Sequence, residues 1–361
     1  MQEIIQTKGK PASAILYLED NLHDILKFCT SSASHPSVVG IDRTFNLGAC
    51  FATILVYDNT NLIRKGTTNP PIMLGAVYLH WDGLYATYHR FLSHLQSKLA
   101  ENICALQTFN MVVGSDEDAA LTKAIKQCFP SSHHLLCTRH LQGWVSDKVG
   151  ANSKTQKKIL KDIFRKKGLA SCNKETDFEV EAIKLADEYS ILIPTFVKYF
   201  NLIVEKIRHG ILLPRQENKW IPIDWKNNSC ESMNHIIKLS TNWKSMKIPD
   251  LIERLYKIVR LQQVDTRRAL YGQGNYELAP WVARFQVRHV DWVRKTEKEK
   301  EELYRKFKKG NKKTNKIVST DGKLTVPRTP KTAKKTRPAK KSKEGKDNNN
   351  QTTLIVLLNM R

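Results

Sequence analysis

Residues 38–58, VVGIDRTFNLGACFATILVYD, constrain the fold more than any other stretch of the chain. A short apolar run at 38–41 delivers an acid, Asp42, and a polar turn at 43–46 precedes a second apolar run at 51–57. Short continuous apolar runs bounded by turn signals read as buried strands. A buried strand that ends in an aspartate holds its carboxylate rigidly at a sheet edge, where a cation can be coordinated. The arrangement recurs in FNMVVGSD, which leads to Asp116. Far downstream, NNSCESMNHIIK places Glu231 in the first turn of an amphipathic helix. Two strand-end aspartates and one helix glutamate suit a pair of magnesium or manganese ions. Such ions take hard oxygen ligands and sit ~3.5–4 Å apart when they clamp a transferring phosphoryl group.

The surrounding pattern is that of a mixed α/β chain. Strands are expected at 38–41, 51–57 and 72–80, joined by short polar connections that favour antiparallel pairing. The period then becomes helical, with Tyr85, Tyr88, Phe91, Leu92, Leu95 and Leu99 on one stripe. A strand at 109–113 follows, then a helix at 119–129 stopped by Pro130, then a strand at 134–136. Three antiparallel strands followed by helix–strand–helix–strand is the order of a ribonuclease-H-like core. The expected fold is therefore a mixed five-stranded sheet with flanking helices. Ahead of it, residues 1–36 read as a lead-in carrying a strand at 14–18 and a helix at 22–28. The core's first part spans 37–150, and 151–222 read as an all-helical insertion with Ile191, Phe196, Phe200 and Ile203 at helical spacing and Pro194 at a start or kink. Residues 223–302 complete the core with helices at 231–239 and 248–270, and 303–361 read as a disordered basic tail.

Charge narrows the partners. The formal net charge is +24, but residues 303–346 alone hold 17 Lys/Arg against 2 acids. The folded body is therefore only mildly basic, and the tail supplies the polyanion affinity. Its segment 326–343 interleaves Lys331, Lys334, Lys335, Arg337, Lys340 and Lys341 with Pro and Thr. Such a block neutralises phosphates without reading sequence, and it also has the make-up of a nuclear-localisation signal. Seven scattered cysteines suit a reducing compartment. The N-terminal stretch lacks a signal-peptide layout, and no apolar run nears the ~20 residues a bilayer crossing needs. An intracellular chain without a membrane partner is the expectation.

Four segments carry a resemblance: Asp42 in GIDRTFNLG, Asp116 in VGSDEDAALTKAIKQCFP, a C-x-x-H (Cys137, His140) in LLCTRHL, and Glu231 in NNSCESMN. In this order, with a long helical insert before the glutamate, the stretch from about 38 to about 270 resembles the DDE catalytic domain of Mutator-like (MULE) transposases. The resemblance implies a ribonuclease-H-like fold, with Asp42, Asp116 and Glu231 as ligands of two Mg2+ or Mn2+ ions. It implies metal-dependent cleavage and transfer of DNA strands in the nucleus, with transposon ends and target DNA as partners and self-association of the chain. No small-molecule substrate is implied. His140 becomes a second-shell or substrate-phosphate group, and Cys137 a packed strand-end residue. Neither a Cys/His-rich finger before Asp42 nor a C-x-C…C-x-H motif after Glu231 is present in the sequence. That leaves an alternative, a domesticated or truncated derivative that binds DNA or chromatin without cutting it.

Each residue also has a plainer role. Asp42 can cap the turn that follows it. Of Asp116, Glu117 and Asp118, one is expected to cap the helix at 119; the reading gives capping to Asp118 and metal to Asp116. Glu231 suits first-turn capping behind Asn228 or Ser229. Taking Met233, Ile236 and Ile237 as the buried face instead leaves Glu231, His235 and Lys238 on a polar stripe. Asp224 is a weaker substitute outside the motif. A C-x-x-H without a partner pair makes no structural zinc site. His133 and His134 read as loop residues, and Trp144, Trp220, Trp225 and Trp243 as packing or as platforms for a base.

Overall fold

The computed structural model describes residues 13–45, 47–48, 50–101, 110–150 and 154–309, and beyond them only the backbone of three short strands. The first part of the chain runs β1 (Ser13–Tyr17), α1 (Glu19–Cys29), β2 (Val39–Thr44), β3 (Phe51–Asp58), β4 (Leu62–Arg64), β5 (Ile72–His80) and α2 (Tyr85–Ala100). It continues with β6 (Val112–Ser115), α3 (Ala119–Cys128) and β7 (His133–Leu136). Six of these strands lie in one mixed sheet in the order β1-β5-β3-β2-β6-β7, which a seventh strand from the end of the chain extends beyond β1. The β1–β5, β5–β3 and β3–β2 pairs are antiparallel, whereas β2–β6 and β6–β7 are parallel. The expected five strands thus become six in this part of the chain. The extra one is β1, which pairs Ala14 with Leu79 across a separation that local periodicity does not encode. Phe109, the expected start of the fourth strand, lies outside the described residues.

Both faces of the sheet are covered, so β3 is buried along most of its length and its pleat divides its apolar side chains between two cores. Leu55 and Tyr57 join α1, α2 and α3 on one face. Ala52, Ile54 and Val56 point to the other, which α9 (Asn228–Ser240) and α10 (Ile248–Ala269) close with Cys230, Met233, Ile237, Leu251 and Leu255. The buried stripe of α9 is 230/233/237; Ile236, expected on it, is 43% exposed because it sits a third of a turn away. Buried Gln262 of α10 replaces missing ladder partners at a β-bulge: it accepts from Leu74 N at 3.0 Å and donates to Ile72 O at 2.9 Å.

Between β7 and α9 lie α4 (Thr138–Val149), α5 (Lys154–Phe164), α6 (Glu175–Leu192), α7 (Pro194–Ile207) and α8 (Leu213–Glu217). They share their own core, centred on Ile159, Phe178, Tyr189, Phe196, Phe200 and Ile203. Pro194 starts α7, where a missing N–H costs nothing. Ile191 is 84% exposed rather than packed, because it is two residues past Tyr189 and so turns off the 178/182/185/189 stripe. A π-helical segment, Arg208–Leu212, links α7 to α8. A Cβ at Gly210 would lie 2.5 Å from Leu136 Cδ1, so only glycine lets this segment approach β7.

Further on come β8 (Tyr276–Leu278), which pairs with β4, then α11 (His289–Arg294) and α12 (Glu297–Lys309). Tyr304 and Phe307 of α12 are buried, so packed structure runs past residue 303. Strands β9 (Val318–Thr320) and β10 (Lys323–Thr325) form a hairpin, and β11 (Ile355–Asn359) pairs antiparallel with the outer edge of β1. The tail cations from Lys331 to Lys341 lie outside the described residues. No described helix is long and apolar enough to cross a membrane.

Candidate functional site

The parallel register of β2 and β6 sets Ile41 against Ser115, so the next residue on each chain is an aspartate, Asp42 and Asp116. Asp116 follows the last residue of β6. Asp42 lies inside β2, which continues to Thr44; the polar turn expected immediately after it begins later because Arg43 and Thr44 still pair with Thr53 and Ala52.

Two glycines let other elements close over these strands. A Cβ at Gly40 would sit 2.8 Å from Cys230 Sγ and 3.3 Å from Asn227 Oδ1, which leaves no room between β2 and the start of α9. A Cβ at Gly114 would sit 2.2 Å from the Trp225 ring. Trp225 is therefore a structural plug, and its carbonyl accepts from Thr138 N at 3.2 Å and Thr138 Oγ1 at 2.9 Å. That pair of bonds fixes the first turn of α4, carrying Cys137 and His140, beside the segment entering α9.

A ring of donors surrounds the acids. Asp42 Oδ1 accepts from Arg43 N and Oδ2 from Asn234 Nδ2, both at 2.8 Å. Asp116 Oδ1 accepts from Asn227 Nδ2 at 3.3 Å. His140 Nδ1 is 2.9 Å from the same oxygen but off the line of a hydrogen bond, so that nitrogen stays buried without one. Glu231 Oε2 takes an ion pair from Arg139 Nη1 at 2.6 Å. Asn227 Oδ1 and Asn234 Oδ1 are also buried without hydrogen-bond partners. Orphaned buried polar atoms are costly and concentrate where a ligand is expected.

The charge of Glu231 is felt at both aspartates. Burial, then the charge of Asp116, push the Asp42 carboxyl up to about 7, with Glu231 adding to the rise and the Arg43 and Asn234 donors opposing it. Burial also raises Asp116; His140 and Asn227 oppose that shift, and Glu231 again adds to it. Carboxylates that repel one another in a poorly solvated cleft are stabilised by a cation. Asp42, Asp116 and Glu231 offer hard oxygen donors of the kind magnesium or manganese takes, while among the described residues the trio whose donor atoms gather within 4.8 Å of one another is Asp116, Cys137 and His140.

The other expected residues fall elsewhere. Asp118 caps α3, accepting from Leu121 N at 2.9 Å. Asp224 is exposed and pairs with Lys226. His133 and His134 are on β7, not in a loop: His133 pairs with Glu217 and half-buried His134 meets Ser115 Oγ at 2.7 Å. Trp144 packs on the insertion with Lys206 over its ring, whereas Trp220 and Trp243 are exposed. His235 lies edge-on to Trp243, whose ring also carries Lys238.

Arg139, Asn227 and Asn234 were not foreseen. A signal existed: positions 227, 231 and 234 are polar at i, i+4 and i+7, the spacing of one helix face. No protein-family model matches the chain, and no curated protein matches it either.

Proposed function

We propose that the chain is a DDE-type DNA transposase domain of the Mutator-like class, with a ribonuclease-H-like core that cleaves and transfers DNA strands. The observation that carries this reading is the juxtaposition of Asp42 and Asp116 on adjacent parallel strands, with Glu231 near enough to raise both carboxyls. The mixed sheet order and the helical insertion before α9 support it. Asp42, Asp116 and Glu231 hold two Mg2+ or Mn2+ ions. When bound, such ions activate the attacking hydroxyl and neutralise charge on the leaving oxygen. The protein's own part is positioning: Asn234 and Asn227 fix the two aspartates, and β2 and β6 hold them at a constant separation. DNA ends and target DNA are the partners, the basic tail adds sequence-independent grip and a nuclear address, and self-association brings two ends together.

One observation favours the alternative, a derivative that binds DNA without cutting. Arg139 already neutralises Glu231, and His140 sits against Asp116, so two of the three acids have cationic or polar company without any metal. The two readings separate in one assay of DNA nicking and DNA binding, with and without magnesium. Asp42→Asn and Glu231→Gln abolish nicking and spare binding if the chain is an enzyme. A wild-type protein that binds but never nicks belongs to the alternative.

A further inference from the structure

Asp116 has a second set of neighbours that a magnesium ion does not call for. A carboxylate oxygen of Asp116, Cys137 Sγ and one ring nitrogen of His140 all lie within 4.8 Å of one another. Donors on a tetrahedral zinc ion are roughly 3.3–3.8 Å apart, given bonds of about 2.0–2.3 Å. We propose that Asp116, Cys137 and His140 form a binding site for a thiophilic divalent cation of the zinc class, open to solvent at its fourth position.

The local structure shows how the chain builds it. Cys137 precedes the first residue of α4, and His140 follows one turn later, so the i, i+3 spacing puts sulfur and imidazole on the same side. The sulfur sits at the positive end of α4 and accepts from Asn227 N at 3.3 Å, both of which suit a negatively charged donor. Asn227 is 1% exposed and also donates through Nδ2 to Asp116, so one buried residue orients two of the three ligands. His140 Nδ1 is buried, makes no hydrogen bond and lies 2.9 Å from Asp116 Oδ1, so imidazole and carboxylate already face one another. The way in is from the side of Asp116 and His140, whose side chains are 30% and 37% exposed, while Cys137 forms the floor.

The donor set decides which ion it takes. A thiolate and an imidazole select zinc-class ions over magnesium, which takes oxygen and keeps its water. The site shares Asp116 with the proposed carboxylate centre. Resting on that reading, an ion held by Cys137 and His140 draws Asp116 away from Asp42 and inhibits magnesium-dependent nicking.

The test uses the full chain with zinc alone, titrated against a chromophoric chelator, and with cobalt as an optical substitute. Wild type is expected to bind one zinc that excess magnesium does not displace, and to give a thiolate-to-cobalt charge-transfer band. Cys137→Ser is expected to lose that band, and His140→Asn to weaken zinc by more than the roughly 10–100-fold that loss of an outer-shell partner costs. His140→Asn changes a half-exposed side chain, so it remains informative if the buried Cys137 variant does not fold. Asp42→Asn is expected to keep zinc binding, which separates this site from the carboxylate centre. Zinc binding without any nicking upholds this site and removes the enzymatic reading; nicking that zinc does not touch, with no cobalt–thiolate band, overturns the site and leaves that reading standing. Zinc affinity unchanged in His140→Asn also overturns it.

Discussion

The helical insertion and the β2–β6 region both bury side chains, but of different chemistry. In the insertion, Phe178, Phe200 and Ile203 are fully enclosed by other apolar side chains, so packing and stability coincide. Around Asp42, two buried asparagine amides meet two half-buried acids and a half-buried imidazole, and three of their polar atoms make no hydrogen bond. Burying polar groups without full satisfaction opposes folding. The comparison teaches that the sheet holds its functional groups against their solvation preference, and that the insertion and the two apolar cores supply the surplus that makes this tolerable.

The largest effect is expected in the insertion. Phe200→Ala removes a fully buried ring and should lower stability by about 3–5 kcal/mol, measured by urea unfolding. A loss near zero would mean that the insertion is not the packed unit described.

The site region should respond in the opposite direction, and with pH. Asp42, raised to about 7, favours its protonated form in the fold; ionisation costs nothing below its ordinary value of 3.8, a growing amount up to about 7, and the full amount above. Asp42→Asn should therefore stabilise the metal-free protein above neutral pH by up to about 4 kcal/mol, since three pH units correspond to that energy. Asn234 can turn its unpartnered Oδ1 toward the new amide. His134 acts with the other sign. Burial lowers it to about 4, so its contribution is complete above 6.5 and is lost as pH falls toward 4, up to about 3 kcal/mol. The two slopes oppose each other between pH 4 and 6.5. Asp42→Asn should expose the acid-labile slope, and His134→Gln the acid-stabilised one; parallel pH profiles for both variants would contradict the pairing.

Two smaller effects sharpen the contrast. Gly114→Ala drives a methyl into the Trp225 ring and should cost about 1–3 kcal/mol, while displacing the α4 turn that carries His140. Asp118→Ala removes the α3 cap, about 1 kcal/mol, and a partly exposed ion pair with Arg43 that adds at most about 1 kcal/mol, and should leave metal and DNA binding unchanged. Together they distinguish an acid that holds a helix from one that serves the cleft two residues away.

Much of this architecture was legible because it is local. The runs of β2, β3 and β5 are apolar on both faces, and the stripes of α2 and α10 repeat at helical period, so strand and helix follow from neighbours in sequence. What was hidden is non-local or uncharged. The place of β1 beside β5 depends on pairing residues 59 to 65 positions apart. The roles of Asn227 and Asn234 depend on α9 folding back over β2, and an amide carries no charge to mark it. Likewise Trp225 reads as one more core ring until Gly114 is seen to make room for it. Ile191 and Ile236 were misplaced for a simpler reason: apolar composition near a helix end does not fix which side faces the core.

The central claim is that Asp42, Asp116 and Glu231 are one metal-dependent cutting site. The most direct measurement is magnesium-dependent nicking of DNA by the full chain, run beside Asp42→Asn and Glu231→Gln, with binding to the same DNA measured on each protein. The account expects nicking by wild type only when magnesium is present, its loss in both variants, and near-equal DNA binding by all three, because grip comes from Lys and Arg. Nicking that survives in either variant, or wild-type protein that binds DNA and leaves it intact at every magnesium concentration, would contradict it.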